Sequence, residues 1–251
     1  MLAAERRSLI LERLERDGSV LVASLSAVFG VSEETIRRDL EKLEKSGFAE
    51  RCYGGASFAG GRRELPYSVR KKSNVAGKQK IAAAIAESVP DGSFIMLDES
   101  STSDFVARAL SGKRRITLIT NSIETVVAMA GEEDWSIMLT GGSLKHGVMS
   151  LTGRRTEDFI RGYHVDLAVI SCTGVDLKTG FTDAGEDNAL IKRAMMESAD
   201  RVVLAADSSK LGKTAFAPIG RLTELAALVT DKEPDEEWKQ ALEEAGVKLI
   251  Y

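Results

Sequence analysis

The sequence predicts an α/β fold in two parts: a small helical head ending in a β-hairpin, and a larger body on a mostly parallel sheet. Three observations carry this. The first 58 residues hold three short helical apolar patterns closed by glycines, the body repeats seven short apolar runs separated by helical stretches, and a basic band lies between the two. With 251 residues, 43% hydrophobic and 29% charged, the composition is globular, with room for one small and one medium domain.

Composition also excludes. The apolar runs, such as FIMLD, DLAVIS and RVVLAA, fall far short of the ~20 residues a membrane-spanning helix needs. The N-terminal MLAAERRSLILERLERDG carries charge through its apolar stretch, unlike a secretory signal. A cytoplasmic, non-membrane chain is the expectation. Cys52 and Cys172 are remote from each other and outside any metal-ligand spacing, so reduced, inert thiols are expected, with no disulfide, metal site or cofactor.

In the head, Ile10, Leu11 and Leu14 fall at helical spacing, and Gly18 is placed to end that helix in a left-handed conformation. A second pattern, SLSAVFG, predicts Leu25, Val28 and Phe29 on one face and a stop at Gly30. A third follows Val31, with Ser32 as N-cap, Glu33 and Glu34 in the first turn and Gly47 beyond its end. Three helices in under 50 residues, the last two joined around Gly30, predict a helix-turn-helix.

At about 100° per residue, Ile36, Leu40 and Leu43 make the apolar stripe of the third helix. Arg38 then lies nearly opposite, with Glu34, Glu41 and Lys42 near it and Thr35 and Arg37 at the flanks. Two readings of that face stand side by side. It suits the major groove, where an arginine makes two hydrogen bonds to guanine; equally, Glu34 with Arg38 and Glu41 with Lys45 are at the i, i+4 spacing of ordinary surface ion pairs. The next segment, FAERCYGGASF, predicts a short strand and a Gly-Gly turn at Gly54 and Gly55, the shape of a wing from which Arg51 and Tyr53 project.

Charge is unevenly spread. Residues 1–60 carry nine Lys/Arg and ten Asp/Glu, residues 61–80 seven and one, and the rest 18 and 27. The basic band GRRELPYSVRKKSNVAGKQK, from Arg62 to Lys80, therefore joins a near-neutral head to an acidic body, either as a connector that touches phosphates or as a solvated linker and helix start. Pro66 restricts its backbone. The division expected is 1–58 for the winged helix-turn-helix, 59–75 for the linker and 76–251 for the α/β body.

The body's strand candidates are FIMLD (94–98), ITLIT (116–120), SIMLT (136–140), DLAVIS (166–171), RVVLAAD (201–207), LAALVTD (225–231) and VKLIY (247–251). Continuous apolar runs separated by helical patterns such as SIETVVAMAG and NALIKRAMMESA argue for a sheet buried on both faces. Small polar groups, glycines, carboxylates and a lysine follow the runs: Asp98 with Ser100, Ser101 and Thr102; Thr120 and Asn121; Thr140, Gly141 and Gly142; Ser171 to Gly174; Asp207 to Lys210; Thr230 and Asp231. Strand carboxyl ends converge on a ligand crevice in an open α/β sheet. A polyhydroxylated anion suits this gathering, with phosphate at a helix start near Ser103, charge from Lys145 and Lys210, and hydroxyls on Asp98, Asn121, Asp176 and Asp207. Any one of these residues is as readily a loop former.

The motifs V-S-x-x-T-I-R-R-D-L (Val31 to Leu40), then Leu43 and Gly47, then Arg51, Gly54, Gly55 and Ala56, resemble the winged helix-turn-helix of the DeoR family of bacterial transcriptional regulators. Tyr53 stands where that family has histidine. The resemblance continues through Asp98 to Thr102, Thr120 to Ser122, Gly141 and Gly142, the run SCTGVDLKTGFTDAGEDNALIKRAM, and Asp207 to Lys210, with Ser100-Ser101 where the family has glycine before the second hydroxyl residue. It implies a sensor domain similar in fold to ribose-5-phosphate isomerase, and a phosphorylated sugar or polyol as effector. DNA contacts are then implied at Ser32, Thr35, Arg37, Arg38, Lys42, Arg51, Tyr53, Gly54 and Gly55. Effector contacts are implied at Asp98, Ser100, Ser101, Thr102, Thr120, Asn121, Gly141, Gly142, Lys145, Thr173, Gly174, Asp176, Glu186, Asp207 and Lys210.

The function expected is a repressor of a sugar or polyol catabolic operon that binds double-stranded operator DNA as a homodimer or homotetramer. The competing class is a sugar-phosphate isomerase-like enzyme with an appended nucleic-acid-binding domain, using Asp176, Glu186, Lys192 and Lys210 as proton-transfer groups. No isomerase signature accompanies them, and His146 and His164 stand alone, so no catalytic residue is assigned.

Overall fold

A computed structural model describes residues 1–59, 67–145 and 148–251, without the side chains of residues 15 and 16. Arg62 and Pro66 of the anticipated linker, and His146, lie outside the described residues. The chain divides into two compact units, Met1–Ser73 and Asn74–Tyr251.

The first unit runs α1 (Ala3–Asp17), β1 (Ser19–Leu21), α2 (Val22–Phe29), α3 (Glu33–Lys45), β2 (Ala49–Cys52), β3 (Gly55–Phe58) and α4 (Tyr67–Arg70). Gly18 and Gly30, at φ 74° and 63°, end α1 and α2 in the left-handed region. Ile10, Leu11, Leu14, Ile36, Leu40 and Leu43 are buried in one core as the spacing predicts. Val28 is not: it is half exposed, while Val22 and Leu25 are buried. The helix begins at Val22, earlier than SLSAVFG indicates, and at 100° per residue this puts Val28 ~120° from Val22 and off the buried stripe.

The wing is three-stranded, ordered β1-β3-β2 and antiparallel throughout. Its turn is Tyr53-Gly54 rather than Gly54-Gly55, since Cys52 pairs with Gly55. A Cβ on Gly55 would lie 2.0 Å from the Val20 carbonyl oxygen, so glycine is what lets β1 lie against β3 there. The linker expected at 59–75 is also divided differently. Residues 67–73 belong to the first unit, where Val69 of α4 is buried in the core, whereas Asn74 and Val75 open the second.

The second unit runs α5 (Val75–Glu87), β4 (Phe94–Leu97), α6 (Ser101–Ala109), β5 (Thr117–Thr120), α7 (Ile123–Met129), β6 (Ser136–Leu139), β7 (Ser143–Lys145), β8 (Ser150–Thr152) and α8 (Arg154–Arg161). It continues through β9 (Leu167–Ile170), β10 (Gly174–Asp176), β11 (Gly180–Asp183), α9 (Glu186–Glu197), β12 (Val202–Ala205), β13 (Ala217–Gly220), β14 (Ala227–Val229), α10 (Glu236–Glu244) and β15 (Lys248–Ile250). All seven apolar runs are strands of one parallel sheet, ordered β15-β14-β12-β9-β4-β5-β6. Successive residues feed opposite cores: Leu167, Val169, Val203 and Ala205 face one, Ala168, Ile170, Val202 and Leu204 the other. That burial on both faces is why these runs are continuous rather than alternating.

The chain builds outward from β4 through β5 to β6, then returns to lay β9 on the other side of β4. This reversal puts a topological switch point between β4 and β9, where the two directions of winding leave a crevice outside the strand carboxyl ends. Two small antiparallel elements, β7-β8 and β10-β11-β13, were not anticipated.

Candidate nucleic-acid interface and sensor site

Ser32 caps α3 as its sequence position predicts, its Oγ accepting from the Thr35 N–H at 3.2 Å and lying 2.9 Å from Thr35 Oγ1. Beyond the cap, Arg37 donates to Glu33 at 2.6 Å, Arg38 to Glu34 at 3.1 Å and Lys45 to Glu41 at 2.6 Å. The hydrogen bond and charge of Lys45 hold the exposed Glu41 carboxyl below the ordinary range. Both sequence readings of this face therefore meet on one surface, and magnitude separates them. Exposed i, i+4 pairs are worth ~0.3–0.5 kcal/mol, a bidentate arginine–guanine contact about 1–3 kcal/mol. Arg37 and Arg38 can leave their glutamates for DNA at small cost.

Lys42, Arg51 and Gly54 are exposed, and Tyr53 at the wing tip is fully so. Gly55 is buried against Val20, where the absence of a side chain serves strand packing. The described part of the basic band is divided between the two units. Arg70 and Lys71 lie over the Tyr67 ring at 5.7 and 5.6 Å, whereas Lys78 is buried in the second unit and Lys80 donates to the Asp231 carbonyl.

In the second unit the switch point is bridged by Asp98, at the end of β4. Its Oδ2 accepts from the Ser171 N–H beyond β9 at 2.8 Å, and its Oδ1 from Ser100 N at 3.1 Å and Ser103 Oγ at 2.5 Å. Ser100 caps α6, which begins at Ser101 rather than Ser103, so its hydroxyl is committed to Ser103. Ser101 and Thr102 are buried in the first turn, and Thr102 Oγ1 has no hydrogen-bond partner.

Lys192, on α9, stands against three carboxylates: it donates to Asp183 and lies 3.4 Å from Asp98 and 3.6 Å from Glu99. All four side chains are at most 3% exposed. Burial alone would lower the Lys192 pKa, but the charges of Asp183, Glu99 and Asp98 prevail and hold it well above the ordinary value, so the lysine is charged. Asn121 donates to Glu99 at 3.2 Å and to the Leu151 carbonyl at 3.1 Å, tying the end of β5 both to the cluster and to the β7-β8 hairpin. Lys145 of that hairpin donates to Asn188 at 2.9 Å, one turn from Lys192 on α9.

Lys210 joins through Ser171, to whose Oγ it donates at 2.9 Å. Asp207 accepts from the Ser209 N–H and hydroxyl. Burial raises its pKa, but Lys210 and the Ser209 hydrogen bonds outweigh burial and hold the carboxyl below the ordinary range. Burial also pushes the Cys172 thiol up to about 12.

Asp98, Ser100, Ser101, Thr102, Asn121 and Lys210 are thus brought together. Others named from sequence make contacts of their own. Asp176 accepts from the backbone of Lys178 and Thr179 and so closes the β10-β11 turn, interactions that also lower its pKa. Glu186 is exposed in the first turn of α9, outside the carboxylate–lysine cluster. Thr120 accepts from Ser122 N, and Thr173 from Ala184 N. Gly174 allows close approach of the Lys213 carbonyl, while Gly142, at φ 133°, lies where a side chain would meet Thr156. The Gly141 carbonyl accepts from Thr156 Oγ1. Glu99, Asp183 and Asn188 were not singled out from sequence, and Lys192 was named only among the proton-transfer groups of the enzyme alternative.

A cleft of about 450 Å³ lined by Arg193, Met196, Pro218, Ile219, Arg221 and Glu224 lies elsewhere. Arg193 is already spent there on the Ile219 and Pro218 carbonyls. The switch-point cluster is the stronger candidate, because Thr102 Oγ1 and Asn121 Oδ1 are buried there without hydrogen-bond partners among the described residues.

A winged helix-turn-helix and a doubly wound sheet with a polar switch point define a DNA-binding regulator with a sensor domain, and the chain belongs to the DeoR family. Residues 6–60 match the DeoR-like helix-turn-helix domain and residues 73–232 the DeoR C terminal sensor domain. Its relatives include the HTH-type transcriptional regulators YulB of Bacillus subtilis (strain 168), 39% identical over 99% of this chain and 96% of that one, and GlpR of Haloferax volcanii, 36% identical over 100% and 98%. The glycerol-3-phosphate regulon repressor of Escherichia coli (strain K12) is 30% identical over 99% of both chains. Among solved structures, ribose 5-phosphate isomerase A of Methanocaldococcus jannaschii matches 53% of each chain at TM-score 0.40 and 21% identity. The relatives are regulators, and this chain is a transcriptional regulator rather than an enzyme. Among the described residues no helix is long and apolar enough to cross a membrane.

Proposed function

We propose that this regulator represses genes of sugar or polyol catabolism, and that a phosphorylated sugar or polyol bound at the β4/β9 switch point weakens its hold on operator DNA. The observation that carries this reading is the convergence there of the α6 N-terminus, Asp98, Asn121 and Lys210. First-turn N–H groups suit phosphate, and the carboxylates and the amide suit hydroxyls. The name of the Escherichia coli relative, which ties that protein to a phosphorylated polyol, supports the same ligand class.

Regulation follows by linkage: an effector that prefers the arrangement unable to bind DNA lowers operator affinity by its differential affinity for the two states. A homodimer or homotetramer would present two wings and two recognition helices to paired half-sites. The test is thermal unfolding of the full chain against sugar and polyol phosphates, with the unphosphorylated compounds as controls. A ligand at about 100 times its Kd stabilises the native state by roughly 2.7 kcal/mol, and a shift confined to phosphorylated compounds is expected. Equal shifts with and without phosphate would contradict the reading.

A further inference from the structure

We propose that Thr140, which the family resemblance leaves unassigned, is a specificity residue of the sensor site: with Asn121 it binds two neighbouring hydroxyls of the effector, on the β5–β6 side of the switch point. This rests on the effector reading above and says where the uncharged end of the ligand lies.

The first observation is register. β4, β5 and β6 are neighbours in the parallel sheet, with Leu97 opposite Thr120 and Thr120 opposite Leu139. The Thr140 N–H donates to the Thr120 carbonyl at 3.0 Å, so the pairing of β5 with β6 runs on past the strand ends. Asp98, Asn121 and Thr140 are the next residue of each strand. Each stands two residues beyond a side chain packed into one core: Met96, Ile119 and Met138 respectively. Because successive residues alternate faces, the three side chains form one row across the strand carboxyl ends, with about 4.8 Å from strand to strand.

The second observation is how that row is satisfied. Asp98 accepts from Ser100 N, Ser103 Oγ and Ser171 N. The Asn121 amide nitrogen donates to Glu99 Oε2 and the Leu151 carbonyl, which fixes its orientation, because a flipped amide would set its oxygen against two acceptors. Asn121 Oδ1 and Thr140 Oγ1 then have no hydrogen-bond partner among the described residues, on side chains of residues at most 1% exposed. Buried polar atoms are nearly always paired, and a hydroxyl without a partner weakens the fold that holds it. The two open positions are adjacent in the row. Asn121 Oδ1 can only accept, whereas Thr140 Oγ1 can donate or accept. An ionised phosphate oxygen cannot donate to Asn121, so the anionic end belongs at the α6 N-terminus. Two hydroxyls at neighbouring carbons answer both positions.

Calorimetric titration of the full chain tests this, comparing wild type with Thr140→Val, which keeps the side-chain shape and removes the hydroxyl. The probes are glycerol 3-phosphate, ribose 5-phosphate and glucose 6-phosphate, with inorganic phosphate as the reference. Any of the three that binds the wild type should lose about ten-fold or more in the variant, the effect of leaving one ligand hydroxyl unpaired, while inorganic phosphate changes by about two-fold at most. Thr140→Ser, which keeps the hydroxyl, should stay within about two-fold of wild type. Without ligand, Thr140→Val should unfold at the wild-type temperature or above it. On the wild-type chain, monodeoxy analogues of the bound compound should lose about ten-fold at two neighbouring carbons. A Thr140→Val chain that unfolds several degrees lower assigns the hydroxyl to the fold and overturns the inference, and so does a compound that binds both chains equally or tolerates every deoxy change; each leaves the phosphate reading intact. Failure of every phosphorylated compound overturns both.

Discussion

Arg6 Nε donates to Asp39 Oδ2 at 2.6 Å, and the two side chains are only 8% and 5% exposed. Arg7 reaches the other oxygen at 3.3 Å. Asp39 lies on the recognition helix, one residue from Arg38, and the arginines lie on α1, so the pair fixes the rotation of α3 against the unit's first helix. Asp39→Ala would strand a buried guanidinium, which costs about 3–5 kcal/mol when one partner of a buried pair is removed. Urea unfolding should show that loss, and operator affinity should fall with it. An unchanged midpoint would mean that the pair positions nothing.

Arg38→Ala should behave oppositely. Its exposed pair with Glu34 is worth only a few tenths of a kcal/mol, so stability should hold while operator affinity falls by about 1–3 kcal/mol. Fluorescence anisotropy at matched salt distinguishes the cases. Wild-type affinity in the variant would assign the residue to surface ion pairing alone.

The two wing glycines should respond differently to alanine. At Gly54, with φ 78° and open space around an added Cβ, the cost is backbone strain of roughly 1–2 kcal/mol. At Gly55 the added Cβ meets the Val20 carbonyl, and the strands must part. Gly55→Ala should therefore disturb amide exchange along β1 and β3, and Gly54→Ala only at the tip.

Asp207 has its pKa lowered on folding, so its contribution is present above the unfolded value of about 4 and is lost as pH falls through the lower folded value. The stability gap between wild type and Asp207→Asn should be largest near neutral pH and should close under acid. A gap that widens on acidification would reverse the assigned sign. A thiol assay offers a simpler check: Cys52 is exposed and should react in the native chain, whereas buried Cys172, with its raised pKa, should react only after unfolding.

What sequence could reveal followed local physics. The seven parallel strands were legible because burial on both faces makes each a continuous apolar run, and Gly18, Gly30 and Ser32 were legible because caps are chosen by backbone geometry and hydrogen bonding within a few residues. The strands GVD, GFTD and APIG were not, because glycine, aspartate and proline read as turns, and Thr182 pairs with Pro218 across a long stretch of chain. The carboxylate–lysine cluster was hidden for the same reason: Lys192 meets Asp98 and Glu99 only once α9 packs beside the sheet. The turn closed by Asp176 had a visible signal, since the run Asp-Leu-Lys-Thr-Gly from Asp176 to Gly180 is itself a turn-forming sequence.

The proposed function has one chain read a DNA sequence and release it in response to a metabolite. Its most direct test is the affinity of the full chain for a duplex that the protein itself selects from a random-sequence library, titrated with the phosphorylated compound that most stabilises the fold. We predict clear sequence enrichment, and an affinity that falls by roughly 5- to 150-fold at saturating compound, the usual range of allosteric coupling, with no change for its unphosphorylated counterpart. Operator affinity that stays constant while the compound is demonstrably bound would contradict the account.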